Sequence, residues 1–169
     1  MAAKAWKEIR GLILSHGAAE AKKIDPRRVR TARWVRLKCQ YGCDGYGSCL
    51  TCPPYAPSPE QTREVLDSYS VAFLIHWGQE SGGRKVMAEI ERRVFLMGFH
   101  KAFALAGGPC ELCDECNLEG GCRHAYQARP SMEACGIDVF GTARDAGLPI
   151  QVVTCHKDQP NFYSLLLVE

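Results

Sequence analysis

The sequence has no apolar run approaching the roughly 18 residues that a membrane-spanning helix needs, so no transmembrane segment is expected. Its opening, M-A-A-K-A-W-K-E-I-R, lacks the continuous apolar stretch of a secretory signal, and a cytoplasmic location is the expectation. Charge of either sign is not in excess. Twenty-one Lys and Arg against 19 Asp and Glu leave +2 and a pI near 8.0, which makes no electrostatic claim on nucleic acid or an anionic membrane. There is no nucleotide loop, since G-Q-E-S-G-G-R-K around Ser81 lacks the Walker A spacing, and no repeat at a solenoid period.

What the chain does have is 169 residues with 46% hydrophobic content, enough to bury a core as one domain over 1–169, and ten cysteines. In a reducing compartment thiols stay free unless a metal or catalysis uses them. The cysteines are therefore expected to be ligands rather than disulfides.

Residues 4–16 carry Trp6, Ile9 and Ile13 at helical steps before Gly17, and read as a surface helix. A polar linker follows around Ile24-Asp25-Pro26. Residues 33–38 alternate large apolar with basic side chains and read as a half-buried strand running into Cys39. Ser58 and Pro59 form an N-cap and first helical residue, predicting a helix over 60–68, and the apolar run 71–77 predicts a central strand.

Gly82-Gly83 should open a long helix through Val86, Ile90, Val94 and Met97 to Ala106, delivering Cys110 from its end at Gly107-Gly108-Pro109. Ser131 should cap another helix with Met132, Cys135, Val139 and Ala143 on one stripe. Residues 150–155 and 162–168 read as two strands joined in a hairpin. The order implies an α/β fold of the α+β kind: a small mixed sheet of three to four strands, flanked by helices, with cysteine-rich loops at 39–57 and 108–130.

The second loop sets Cys110, Cys113, Cys116 and Cys122 at C-x2-C-x2-C-x5-C. Three thiolates at steps of three can face three corners of a cubane, and a fourth nearby can close it, as suits a [4Fe-4S] cluster. Zinc more often takes two short knuckles, for which Cys116 and Cys122 make a poor second. Gly120-Gly121 would let backbone amides approach cluster sulfides. The first loop offers Cys39, Cys43, Cys49 and Cys52, with Pro53 after the last cysteine as in bacterial ferredoxin runs. A purely structural zinc loop is the alternative. Eight thiols match two four-coordinate sites, one or two [4Fe-4S] clusters, and a cysteine of one loop could serve the other's site.

Cys135 and Cys155 are expected to be small buried hydrophobes. His76, His124 and His156 are expected to be ordinary core or surface histidines. The basic run Arg27, Arg28, Arg30, Arg33, Arg36 and Lys38 would either receive an acidic partner or form a solvated face, while Arg123, Arg129 and the helix end at Ser131 could hold an anion.

The stretches Tyr41-Gly42-Cys43 through Cys52-Pro53-Pro54-Tyr55, C110-x2-C113-x2-C116 and R-P-S-M-E-A-C-G-I-D-V over 129–139 resemble a family of small cysteine-rich prokaryotic proteins described as predicted metal-binding proteins. The resemblance implies metal binding through Cys43, Cys52, Cys110, Cys113, Cys116 and Cys122, is compatible with [4Fe-4S], and implies no reaction. In that family the first loop varies in where its cysteines fall, so Cys39 or Cys49 could drop out and leave a three-ligand site. The leading expectation is an iron-sulfur protein that exchanges electrons with a redox partner protein. An iron-sulfur enzyme with an open iron acting on a small molecule, and a zinc-stabilised interaction module, are its rivals.

Overall fold

A computed structural model describes residues 2–78 and 84–169; the expected helix opening at Gly82-Gly83 lies outside them. The fold is α+β. Four antiparallel strands form one sheet in the order β1-β2-β4-β3, with β1 at Glu20–Ile24, β2 at Ala72–His76, β3 at Phe103–Leu105 and β4 at Tyr163–Leu167. No mixed pairing occurs within it. The one parallel contact is an isolated bridge, Ala106 to Ser131, beyond the end of β3.

The two faces of the sheet carry separate apolar clusters, because side chains alternate along each strand. Phe73 and Ile75 of β2 and Leu166 of β4 point toward helices α1 (Ala2–Ser15) and α4 (Arg84–Leu96), which supply Ile9, Ile13, Met87, Ile90 and Val94. Ala72, Leu74, Leu165 and Leu167 point the other way, toward Leu66 of α3 (Pro59–Asp67), the turn 131–137 and Ala143 of α5 (Val139–Asp145). With both faces covered, β2 and β4 are buried at every position, which accounts for the unbroken apolar run that marks β2 in the sequence.

The local signals for α3 act as expected. Ser58 Oγ accepts from the Gln61 amide at 3.2 Å while Gln61 Oε1 accepts from the Ser58 amide at 2.8 Å, a reciprocal cap with Pro59 at the first turn. The expected strand over 33–38 is instead helix α2 (Trp34–Gly42). Its six-residue alternation is met equally well by a helix that turns Val35 inward and radiates Trp34, Leu37 and Lys38 to solvent.

The helix expected to reach Ala106 ends at Leu96, because Gly98 takes a left-handed φ of +102°, and the apolar residues beyond it are strand β3. Ser131 caps only a single turn, its Oγ accepting from the Ala134 amide at 3.1 Å. That turn stops at Gly136, with φ of +73° and Pro59 packed so closely that a β-carbon would lie 2.4 Å from its Cγ. Helix α5 then starts afresh from Asp138, which accepts from the Gly141 amide at 2.9 Å.

Residues 150–155 form no strand, and no hairpin joins them to β4, whose partners are β2 and β3. The sheet instead includes β1, which pairs with β2 just ahead of the linker expected around Ile24-Asp25-Pro26 and was not expected; its lysines hid it, as they suit a strand at the sheet's edge.

Candidate metal centre

Both cysteine loops lie on the side of the sheet covered by α3 and the turn 131–137. The second leaves the sheet from the end of β3, not from a helix. Gly107 passes so close to β4 that a β-carbon there would meet the Tyr163 carbonyl at 2.9 Å. The loop is closed at its base, since the Ala106 amide donates to Pro130 O at 2.9 Å and the Met132 amide to Ala106 O at 3.2 Å. Arg129 braces the same base. Its guanidinium meets Glu91 of α4 through Nε at 2.7 Å and Nη2 at 2.6 Å, and Nη1 donates back to the carbonyls of Ala125 and Ala128. Arg129 is thus committed to Glu91, and Arg123 donates to Glu115 O within the loop, so both arginines of the possible anion site at Ser131 have partners within the chain.

The structure brings the thiols together in a grouping that crosses the two loops. Cys49, from the first loop, shares a recess with Cys110, Cys113, Cys116 and Cys122 of the second. Its sulfur lies beside those of Cys116 and Cys110, and the neighbouring Leu50 amide donates to Cys116 Sγ at 3.4 Å. Burial alone would raise Cys49, but the Thr51 hydroxyl and amide and the two thiols outweigh it and hold the group below the ordinary thiol range. Cys116 is lowered by the Leu50 amide, yet burial and the nearby Cys49 and Cys122 push it up on balance.

Cys39, Cys43 and Cys52 gather separately. Cys39 and Cys43 are four residues apart at the end of α2 and fall on one side of the helix. A β-carbon at Gly45 would lie 3.5 Å from Cys43 Sγ and 3.4 Å from Cys52 Sγ, so the missing side chain keeps open the space between two sulfurs. The Gly45 amide donates to Cys43 Sγ at 3.4 Å. Cys49 and Cys52, which end up in different groups, are joined by one turn in which the Cys52 amide donates to Cys49 O at 2.9 Å.

Among the described residues no three His, Cys, Asp or Glu side chains form a group that would hold a single metal ion. The chemistry of the donor set is nevertheless compatible with an iron-sulfur cluster: sulfur donors throughout, backbone amides aimed at Cys43 and Cys116, and a glycine cradle between Cys43 and Cys52. Gly120 contributes less than expected, because its amide is taken by Asn117 Oδ1 at 3.1 Å.

The remaining candidates separate clearly. Cys135 is buried, as expected, and burial pushes its thiol up to about 12. Cys155, expected to be buried, is exposed in a turn organised by Asp158, which accepts from Thr154 and Cys155 amides at 2.7 and 3.1 Å. His76 is a core residue, bonded to Asn161 Oδ1 at 2.8 Å and stacked on Tyr163. In the basic run Arg30 pairs with Asp145, Arg33 with Glu60, and Arg36 holds the carbonyls of Ala56 and Pro57.

Sequence reasoning missed an apolar cavity of about 560 Å³ beside the recess, lined by Tyr55, Val65, Leu66, Phe103 and Leu105 and sharing Leu50, Thr51 and Cys122 with it. Its walls come from six separate segments, so no local pattern could announce it. No helix among the described residues is long and apolar enough to cross a membrane.

No curated protein and no solved structure matches the chain. A family profile does, over residues 22–168, a span that includes all ten cysteines, and its description is "Predicted metal-binding protein (DUF2284)". With that match spread over both cysteine loops and most of the sheet, the chain belongs to this family of predicted metal-binding proteins.

Proposed function

We propose that the protein is an iron-sulfur protein, holding [4Fe-4S] clusters on the thiols of its two loops and exchanging electrons with a protein partner. The observation that carries this reading is the three-plus-one arrangement of the recess. Cys110, Cys113 and Cys116 come from one tight run, and Cys49 comes from the other loop. Two-cluster ferredoxins use this donor pattern, three cysteines of a C-x2-C-x2-C run with a fourth from elsewhere, whereas structural zinc takes ligands in pairs. When bound, such a cluster supplies a one-electron redox centre.

The surroundings support electron exchange. The candidate ligands lie near the surface, with Cys43 and Cys122 exposed, and α2 carries exposed Trp34, Leu37 and Tyr41 toward Cys43 as an apolar contact strip. Arg27, Arg28 and Lys38 beside it are exposed cations that favour an acidic partner.

Anaerobic reconstitution with iron and sulfide, followed by metal and acid-labile sulfide analysis and EPR of the reduced protein, tests the reading. The expected outcome is a brown protein with sulfide in proportion to iron. Zinc without sulfide in anaerobically purified protein would replace it with the zinc-stabilised module.

A further inference from the structure

We propose that Cys49, not Cys122, completes the ligand set of the second loop, so that the first loop keeps Cys39, Cys43 and Cys52 and leaves one coordination position open to an external anionic donor. This rests on the iron-sulfur reading and deepens it, adding a ligand-binding position to an electron-transfer centre.

The turn from Cys49 to Cys52 divides its two thiols. Cys49 faces Cys110 and Cys116, fixed there by the Leu50 amide on Cys116 Sγ at 3.4 Å and by the Thr51 hydroxyl 3.3 Å from its own sulfur. Cys52 faces Gly45 and Cys43. Cys122 is exposed, and it also forms part of the wall of the apolar cavity. Were the exchange between loops reciprocal, as in a two-cluster ferredoxin, Cys122 would move to the first loop's set. Instead it stays beside Cys116. Five thiols therefore stand at one site and three at the other.

Each site has a cation beside it: Arg123 lines the five-thiol recess, where its Nη1 donates to Glu115 O at 3.1 Å, and Arg36 stands at the three-thiol site. The Arg36 guanidinium bears electrostatically on Cys39, and its Nε is buried without a hydrogen-bond partner. A fourth donor arriving from solution would meet that positive charge, which selects a small anion such as a thiolate or carboxylate. Glu133 also bears on Cys39, so its carboxylate is the protein's own competitor for the open position.

The test uses the full chain, reconstituted anaerobically, as wild type and as Cys49→Ala, Cys122→Ala and Glu133→Gln, with circular dichroism of each metal-free variant as the check on folding. Iron and acid-labile sulfide per chain are measured, and isotopically labelled cyanide is added before pulsed EPR. Cys122→Ala and Cys49→Ala should both keep the full iron content, since three thiolates hold the first loop's cluster. The labelled carbon should couple to one EPR signal in wild type, Cys122→Ala and Glu133→Gln, and to two in Cys49→Ala, where a second iron is opened. A second coupled signal in Cys122→Ala, a single one in Cys49→Ala, absence of any coupling, or coupling that appears only in Glu133→Gln would each overturn the proposal. No acid-labile sulfide in any sample would instead overturn the iron-sulfur reading itself.

Discussion

The Arg129–Glu91 pair offers a quantitative test of how the second cysteine loop is held. Both side chains are largely buried, 12% and 14% exposed, and the guanidinium meets the carboxylate through two nitrogens. Glu91 also accepts from the Ala104 amide at 2.8 Å, tying α4 to β3, and Arg129 lies 5.3 Å from the centre of the Phe103 ring. Removing one member of a buried pair strands the other, at a cost of about 3–5 kcal/mol, and the residual exposure places this pair at the lower end.

We therefore expect Arg129→Met to cost about 3 kcal/mol and lower the melting temperature by roughly 6–12 °C for a domain of this size. Glu91→Gln, which keeps an acceptor for the Ala104 amide, should cost less. The double variant Glu91→Gln/Arg129→Met should recover most of the loss, because no charge is then left buried without its partner and the Ala104 amide keeps its acceptor. The assay is urea unfolding of the metal-free chain under reducing conditions, with hydrogen exchange read over 107–130. Single losses below about 0.5 kcal/mol, the range of an exposed pair, or additive single and double variants, would refute the reasoning.

Gly136→Ala should destabilise by about 2 kcal/mol or more, since it puts a β-carbon into Pro59 at a φ of +73°; the urea midpoint reads it. Ser58→Ala should cost about 1 kcal/mol through loss of the cap on α3, measured the same way. Cys135 should resist alkylation in the native protein while Cys155 reacts readily, as mass spectrometry of partly labelled protein will show. Because burial raises Cys135 in the folded state, its contribution is complete below about pH 8.5 and is lost as pH climbs toward about 12. Wild type should therefore lose stability over that range faster than Cys135→Ala. Equal alkaline slopes would count against that burial.

Elements whose signals are local were legible in the sequence. The Ser58-Pro59-Gln61 cap and the apolar run of β2 each state their structure within a few residues, and both are present. Elements decided by distant partners were not. Residues 103–105 carry the apolar content of a buried helix, and only pairing with β4 makes them a strand. Residues 150–155 carry strand propensity but find the sheet already complete. The candidate site follows the same rule. That the cysteines fall into two loops was readable from spacing, whereas the distribution of Cys49 and Cys52 between two groups depends on one turn and on how the loops meet.

The two apolar clusters that cover the sheet contain a single cysteine, Cys135, and none of the eight cysteines of the two loops. In zinc fingers the metal drives folding, so the empty chain is unfolded. Here the packing of the scaffold uses none of the loop thiols, so a metal bound there has only the two loops left to order. The metal-free protein should therefore stay folded with only its loops loosened, and on the iron-sulfur reading it would gain or lose a cluster without having to fold again.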